Sequence, residues 1–118
     1  MTLQTSIKEL LDPLVGNRVY EDRAPQELDF SRPYIVFIQV GGSPTNTLCG
    51  NTDRQNVILQ FNVWADRSDI ARQVMINAEK LLTDPPLRGV SQGGAISRPG
   101  PETRSFGRQQ DFSFWYRP

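Results

Sequence analysis

Histidine is absent from the 118 residues. That excludes Ser-His-Asp and Cys-His catalysis, histidine metal ligation and a histidine pH switch. Cysteine occurs once, at Cys49, so no disulfide can close within the chain. Such usage suits a reducing compartment without requiring one. An excess of charge is also missing, because 13 basic residues balance 13 acidic ones. Bulk attraction to nucleic acid or to an anionic membrane is therefore not expected, and a barrier to self-association is lacking. No run nears the roughly 18 apolar residues of a membrane helix. The start, Met1-Thr2-Leu3-Gln4-Thr5-Ser6, has no basic region followed by an apolar one, so no signal peptide is expected. Together these absences predict a soluble protein made in a cytoplasm. Lysine is scarce as well, since 11 of the 13 basic residues are Arg. Arginine makes rigid bidentate contacts at interfaces, although genomic composition explains the bias equally well.

What is present fits one domain over residues 1–118, with a modest core. No repeat or low-complexity tract interrupts it. Leu3, Ile7, Leu10, Leu11 and Leu14 recur at helical spacing. Thr2 is a candidate cap, and Ser6 with Glu9 fits a capping box as an alternative start. Pro13 forces Asp12 out of the helical region, and Gly16-Asn17 supplies a turn. Arg18-Val19-Tyr20 is a short extended candidate. Residues 21–33, with Pro25 and Pro33, read as a surface connection. Residues 34–40, Tyr-Ile-Val-Phe-Ile-Gln-Val, are β-branched and aromatic and read as a central strand, which Gly41-Gly42-Ser43-Pro44 should end.

Residues 41–56 form a polar loop rich in Gly, Thr and Asn. In residues 57–64, Val57, Leu59, Phe61 and Val63 point one way, and Ile58, Gln60, Asn62 and Trp64 the other. Ser68 is a suitable N-cap for a second helix, and Asp69 suits the positive end of its dipole. Ile70, Ala71, Val74, Met75, Ala78, Leu81 and Leu82 give that helix a broad apolar face, broken by Asn77. Asp84-Pro85-Pro86 stops it. Residues 87–107 read mostly as loop, with a short strand candidate at Ala95-Ile96-Ser97. Residues 111–116 close the chain as a strand in which Phe112, Phe114 and Tyr116 share a face. The order predicts an α+β fold in two layers: a mainly antiparallel sheet of about four strands, with two helices packed on one face.

Little in the sequence carries chemistry. Cys49 would need activation by a cation such as Arg54, and it reads better as an unreactive loop cysteine. Glu9 with Asp12 and Asp66 with Asp69 are the closest carboxylate pairs, and helix starts account for them. Gly41-Gly42 and Gly93-Gly94 lack the Lys and Ser/Thr of a phosphate loop and read as turns. No catalytic, cofactor-binding or metal-binding residue is predicted. The local basic bias is Arg88, Arg98, Arg104 and Arg108, in or beside a loop whose one acid is Glu102. It is a solvated loop or a surface for an acidic partner or passing nucleic acid. Trp64 and Trp115 (with Tyr116) are candidates for an interface or, less readily, for stacking on bases. If the Trp64 indole lies in the core, Trp64→Ala costs about 3–5 kcal/mol.

The ordered set of segments resembles the tail-completion proteins of long-tailed bacteriophages and prophages. The resemblance starts at the first helix and Arg18-Val19-Tyr20, then runs through Ala24-Pro25 and Pro33-Tyr34-Ile35-Val36. It is strongest at Gln60-Phe61-Asn62-Val63-Trp64-Ala65 and the helix containing Ala71. It returns at Pro101-Glu102-Thr103 and Asp111-Phe112-Ser113-Phe114-Trp115-Tyr116. Residues 43–56 and 85–107 match least. The resemblance implies the fold of the tail terminators, small α+β proteins that form hexameric rings. It implies a virion assembly protein without catalytic residues or cofactor, made in the bacterial cytoplasm and located in the virion tail. Its partners would be copies of itself, the tail tube protein and head–tail connector proteins. DNA would pass through the ring unread. The edges at residues 34–40 and 112–116 are candidates for pairing with a neighbour. A head–tail joining adaptor acting as a monomeric binding module is the alternative, followed by an enzyme of unknown type.

Overall fold

Thr2 starts the first helix in the computed structural model, which describes residues 2–25, 32–44, 55–99 and 106–116. Its backbone is extended, and its hydroxyl accepts the Thr5 N–H at 3.1 Å. This satisfies one of the orphan donors of helix α1, Leu3–Leu11. The alternative start at Ser6 is not used. A 3₁₀ turn, Asp12–Leu14, follows at Pro13. Gly16 and Asn17, with φ of 58° and 66°, then turn the chain into β1, Val19–Glu21.

Strand β2 spans Tyr34–Pro44 and β3 spans Gln55–Ala65. Helix α2 is Ser68–Thr83, and the short strands β4, Val90–Ser91, and β5, Ile96–Pro99, precede β6, Phe106–Tyr116. The sheet order is β1-β2-β3-β6-β4, with β5 also paired to β6. The fold is α+β, as expected, but the described residues form six strands rather than about four, and the sheet is mixed. β1 runs parallel to β2, with Val19 opposite Ile35. Parallel neighbours need a crossover of about a dozen residues, and residues 22–33 supply it. The other pairings are antiparallel.

Two strands run further than expected, one through glycine and one through its neighbours. Gly41-Gly42 does not end β2; the strand runs on to Pro44 through a bulge between Gln39 and Gly41. Gly42 has φ of 129°, and a Cβ there would meet the Asn56 carbonyl oxygen at 2.5 Å. The side chain is absent where two backbones close in. β6 starts at Phe106, five residues before the strand expected at residues 111–116. β3 flanks its whole first half, Phe-Gly-Arg-Gln-Gln, and β5 pairs Phe106 to Gln109 on the other side. Of residues 112–116, flanked by β3 throughout, β4 covers the other side of Phe112 and Ser113, and residues 114–116 have no second neighbour among the described residues.

Val57, Leu59, Phe61 and Val63 are buried, as their alternation requires. Phe61 is the hub, with ring centroids 5.5 Å from Phe37, 5.6 Å from Phe112 and 6.3 Å from Phe114. Ile7 and Leu11 of α1 and Ala71, Val74, Met75, Ala78 and Leu82 of α2 cover this face in one cluster. The N-cap of α2 is Arg67, in extended conformation and without a side-chain cap, so Ser68 is the first helical residue and not the cap. The Ser68 hydroxyl instead accepts from Arg108 Nη2 at 3.3 Å.

Candidate functional site

β3 and β6 present their even-numbered and odd-numbered residues, respectively, on the sheet face opposite the core. Asn56, Gln60 and Asn62 lie there opposite Trp115, Asp111 and Gln109. Asn62 Nδ2 donates to Gln60 Oε1 at 3.2 Å, and Asn56 Nδ2 to Ser113 Oγ at 2.6 Å. Asp111 Oδ1 is buried without a partner among the described residues. Half-buried Val36, Ile38 and Ile58 form an apolar strip beside this polar row. The face therefore offers amide hydrogen bonding beside apolar contact, which suits protein surfaces.

Trp64 stands on this face at one end of β3, half-buried, and is not in the core cluster. Its period-2 position decides this, because Val63 and Ala65 take the core side. The cost expected for a core indole therefore does not apply. Trp115, 53% exposed, lies opposite Asn56 at the other end. Eight residues of strand, about 26 Å, separate the two ends. The two indoles do not make one stacking platform.

The basic residues do not form one patch. Arg98 on β5 donates through Nε to Gln109 Oε1 on the face away from the helices. Arg108, register partner of Ser97 and one step from that of Arg98, points to the helix side, where it bonds the Ser97 and Ser68 hydroxyls. Alternation along paired strands puts the two guanidiniums on opposite faces. Arg88, with φ of 50°, follows α2, and its N–H donates to the Asp84 carbonyl at 3.0 Å. Arg104 and Cys49 lie outside the described residues.

Arg72 of α2 joins Arg108 instead. Both line a pocket of about 360 Å³ between α2, the β4–β5 connection and β6. Sequence reasoning passed over Arg72. Its signal is the spacing of Arg72, Ile76 and Glu79 along the flank of the apolar stripe of α2. Among the described residues, no three His, Cys, Asp or Glu side chains stand together as a metal site. No described helix is long and apolar enough to cross a membrane.

Comparison with known proteins adds a family and a fold. A family model described as Tail completion protein gp17 matches residues 6–117. Among solved structures, that of the bacteriophage SPP1 gp17 protein is similar, with a TM-score of 0.56 and 19% sequence identity. The alignment covers 97% of this chain and 88% of that one, so the two share a fold. No curated protein matches the sequence.

Proposed function

Because the chain belongs to the Tail completion protein gp17 family, we propose that it is a ring-forming subunit that caps the tail tube and joins tail to head, without catalysis. The family match over residues 6–117 carries this reading. A cyclic ring needs two different, complementary surfaces on each subunit. The two ends of the sheet are suited to this role. At one end, β1 covers β2 only at residues 35–37, which leaves residues 38–44 without a second neighbour among the described residues. At the other, β5 pairs only with β6 among the described residues. Neighbouring subunits would meet through these edges, aided by the amide-rich face and exposed Trp115. Six copies are the expected number. The tail tube protein and head–tail connector proteins are the expected partners, and the virion tail the location. A neutral chain would let DNA pass without holding it.

The test is the mass in solution by light scattering, with and without purified tail tubes. A species near six times 13.4 kDa, alone or on tubes, supports the ring. A chain that stays monomeric on tubes and bridges them to heads would make it an adaptor instead.

A further inference from the structure

The pocket between α2 and the β4–β5 connection has an unusual charge balance. Arg72 and Arg108 line it against one carboxylate, Glu79. Neither guanidinium is in an ion pair: the pairs among the described residues are Lys8–Asp12 and Arg67–Asp69. Arg108 is held by two neutral hydroxyls, Ser97 and Ser68, which orient it without cancelling its charge. Arg72 makes no hydrogen bond among the described residues. Glu79 is engaged, because its Oε1 accepts from Gln110 Nε2 at 3.2 Å.

Gln110 is the second observation. It is 5% exposed and is the buried polar residue of the core side. Its Nε2 also reaches Ser91 Oγ at 2.8 Å and the Gly93 carbonyl at 3.0 Å. Its two N–H groups are shared among these three acceptors, which fixes the amide. The amide thereby holds the Glu79 carboxylate in place in the pocket wall. Met75 and Ile76 supply the apolar part of the lining, and Ile76 is 41% exposed.

We infer that this pocket receives an aspartate or glutamate side chain, flanked by an apolar residue, from an extended segment of a partner protein. The two guanidiniums would take the carboxylate, and the apolar neighbour would rest on Met75 and Ile76. Glu79 in the lining disfavours a phosphate dianion, so one carboxylate matches the net charge better. β5 has no second neighbour among the described residues, and its free backbone groups can bind an extended chain beside the pocket. This favours a peptide over a free small acid. The inference shares the β5 edge with the ring contact proposed above, and its own part is the pocket lined by α2 and β6.

The test uses the full chain labelled with ¹⁵N and three probes: N-acetyl-Val-Asp-Val-amide, its Asn counterpart and inorganic phosphate. The Asp peptide should shift the Gln110 side-chain amide and the Gly94 and Ser97 amides in a saturable way. The Asn peptide should bind about tenfold more weakly, through loss of the charge-assisted bonds. Arg72→Gln should weaken the Asp peptide by a similar factor without changing the melting temperature, because Arg72 makes no hydrogen bond or ion pair among the described residues. The inference is overturned by no saturable shift up to about 20 mM peptide, a concentration that would detect even millimolar affinity. Equal binding of the Asn peptide, or phosphate binding as tight as the Asp peptide, overturns it too. So do shifts at the same amides on concentrating the chain alone, which would make a second copy the occupant.

Discussion

Trp64 lies directly over Gly107 of the neighbouring strand. The two are register partners, and a Cβ on residue 107 would stand 2.2 Å from Cζ3 and 2.5 Å from Cε3 of the indole. Glycine at 107 is therefore the seat of the tryptophan, and the contact clamps β3 to the polar half of β6.

Gly107→Ala should destabilise the fold by about 2 kcal/mol, because the indole must move off the strand. The same substitution in a Trp64→Leu background should cost much less. A double-mutant cycle by urea denaturation measures the difference, and additive costs would rule the clamp out.

The adjacent glycines of β2 should respond differently. Gly42→Ala combines a left-handed φ with a contact of 2.5 Å to the Asn56 carbonyl oxygen. It should cost about 3 kcal/mol. At Gly41 the nearest atoms, on Ile58, are 3.7 Å away, an ordinary contact. Gly41→Ala should stay within about 1 kcal/mol of the parent, and thermal melting of the two variants checks the contrast.

Truncating the aromatic hub should be the most damaging of these changes. Phe61→Ala removes a fully buried ring that three other Phe rings contact. It should cost about 3–5 kcal/mol. Trp64→Ala should cost less, since that indole lies outside the core cluster. Reversal of this order in chemical denaturation would contradict the assignment of the two faces.

Arg67→Ser should raise stability by about 0.5–1 kcal/mol. Arg67 already has the extended backbone of an N-cap but offers no cap acceptor. The Arg67–Asp69 pair that would be lost is 68% and 61% exposed, so its loss costs little. Ser68→Ala should change stability little, since Ser68 is already inside the helix. A calorimetric melt of both variants distinguishes the two positions.

Side-chain period made most of the elements legible. Leu3, Ile7 and Leu11 repeat with the turn of a helix, and residues 57–63 alternate with the pleat of a strand. The apolar stripe of α2 and the Phe112, Phe114 alternation are of the same kind. These patterns record which side of each element is buried, so they follow from local sequence. The extension of β6 back to Phe106 is different. Arg108, Gln109 and Gln110 carry no alternation of polarity; β3 pairs all three, and β5 pairs the first two from the other side.

The sequence by itself determined two helices, three of the strands, the buried face of the helices and of residues 57–63 and 112–116, and the exclusion of histidine chemistry. Only the tertiary structure decided the rest. It made β1 parallel to β2, carried β2 through Gly41-Gly42, and seated Trp64 on Gly107. It separated Arg98 from Arg108 across the sheet and brought Arg72 to Arg108 in one pocket. The reason is physical: each of these depends on contacts between residues far apart in the chain, as in the hydrogen bond from Arg108 to Ser68 across 40 positions. A local pattern specifies which face is buried, but strand pairing decides what that face meets.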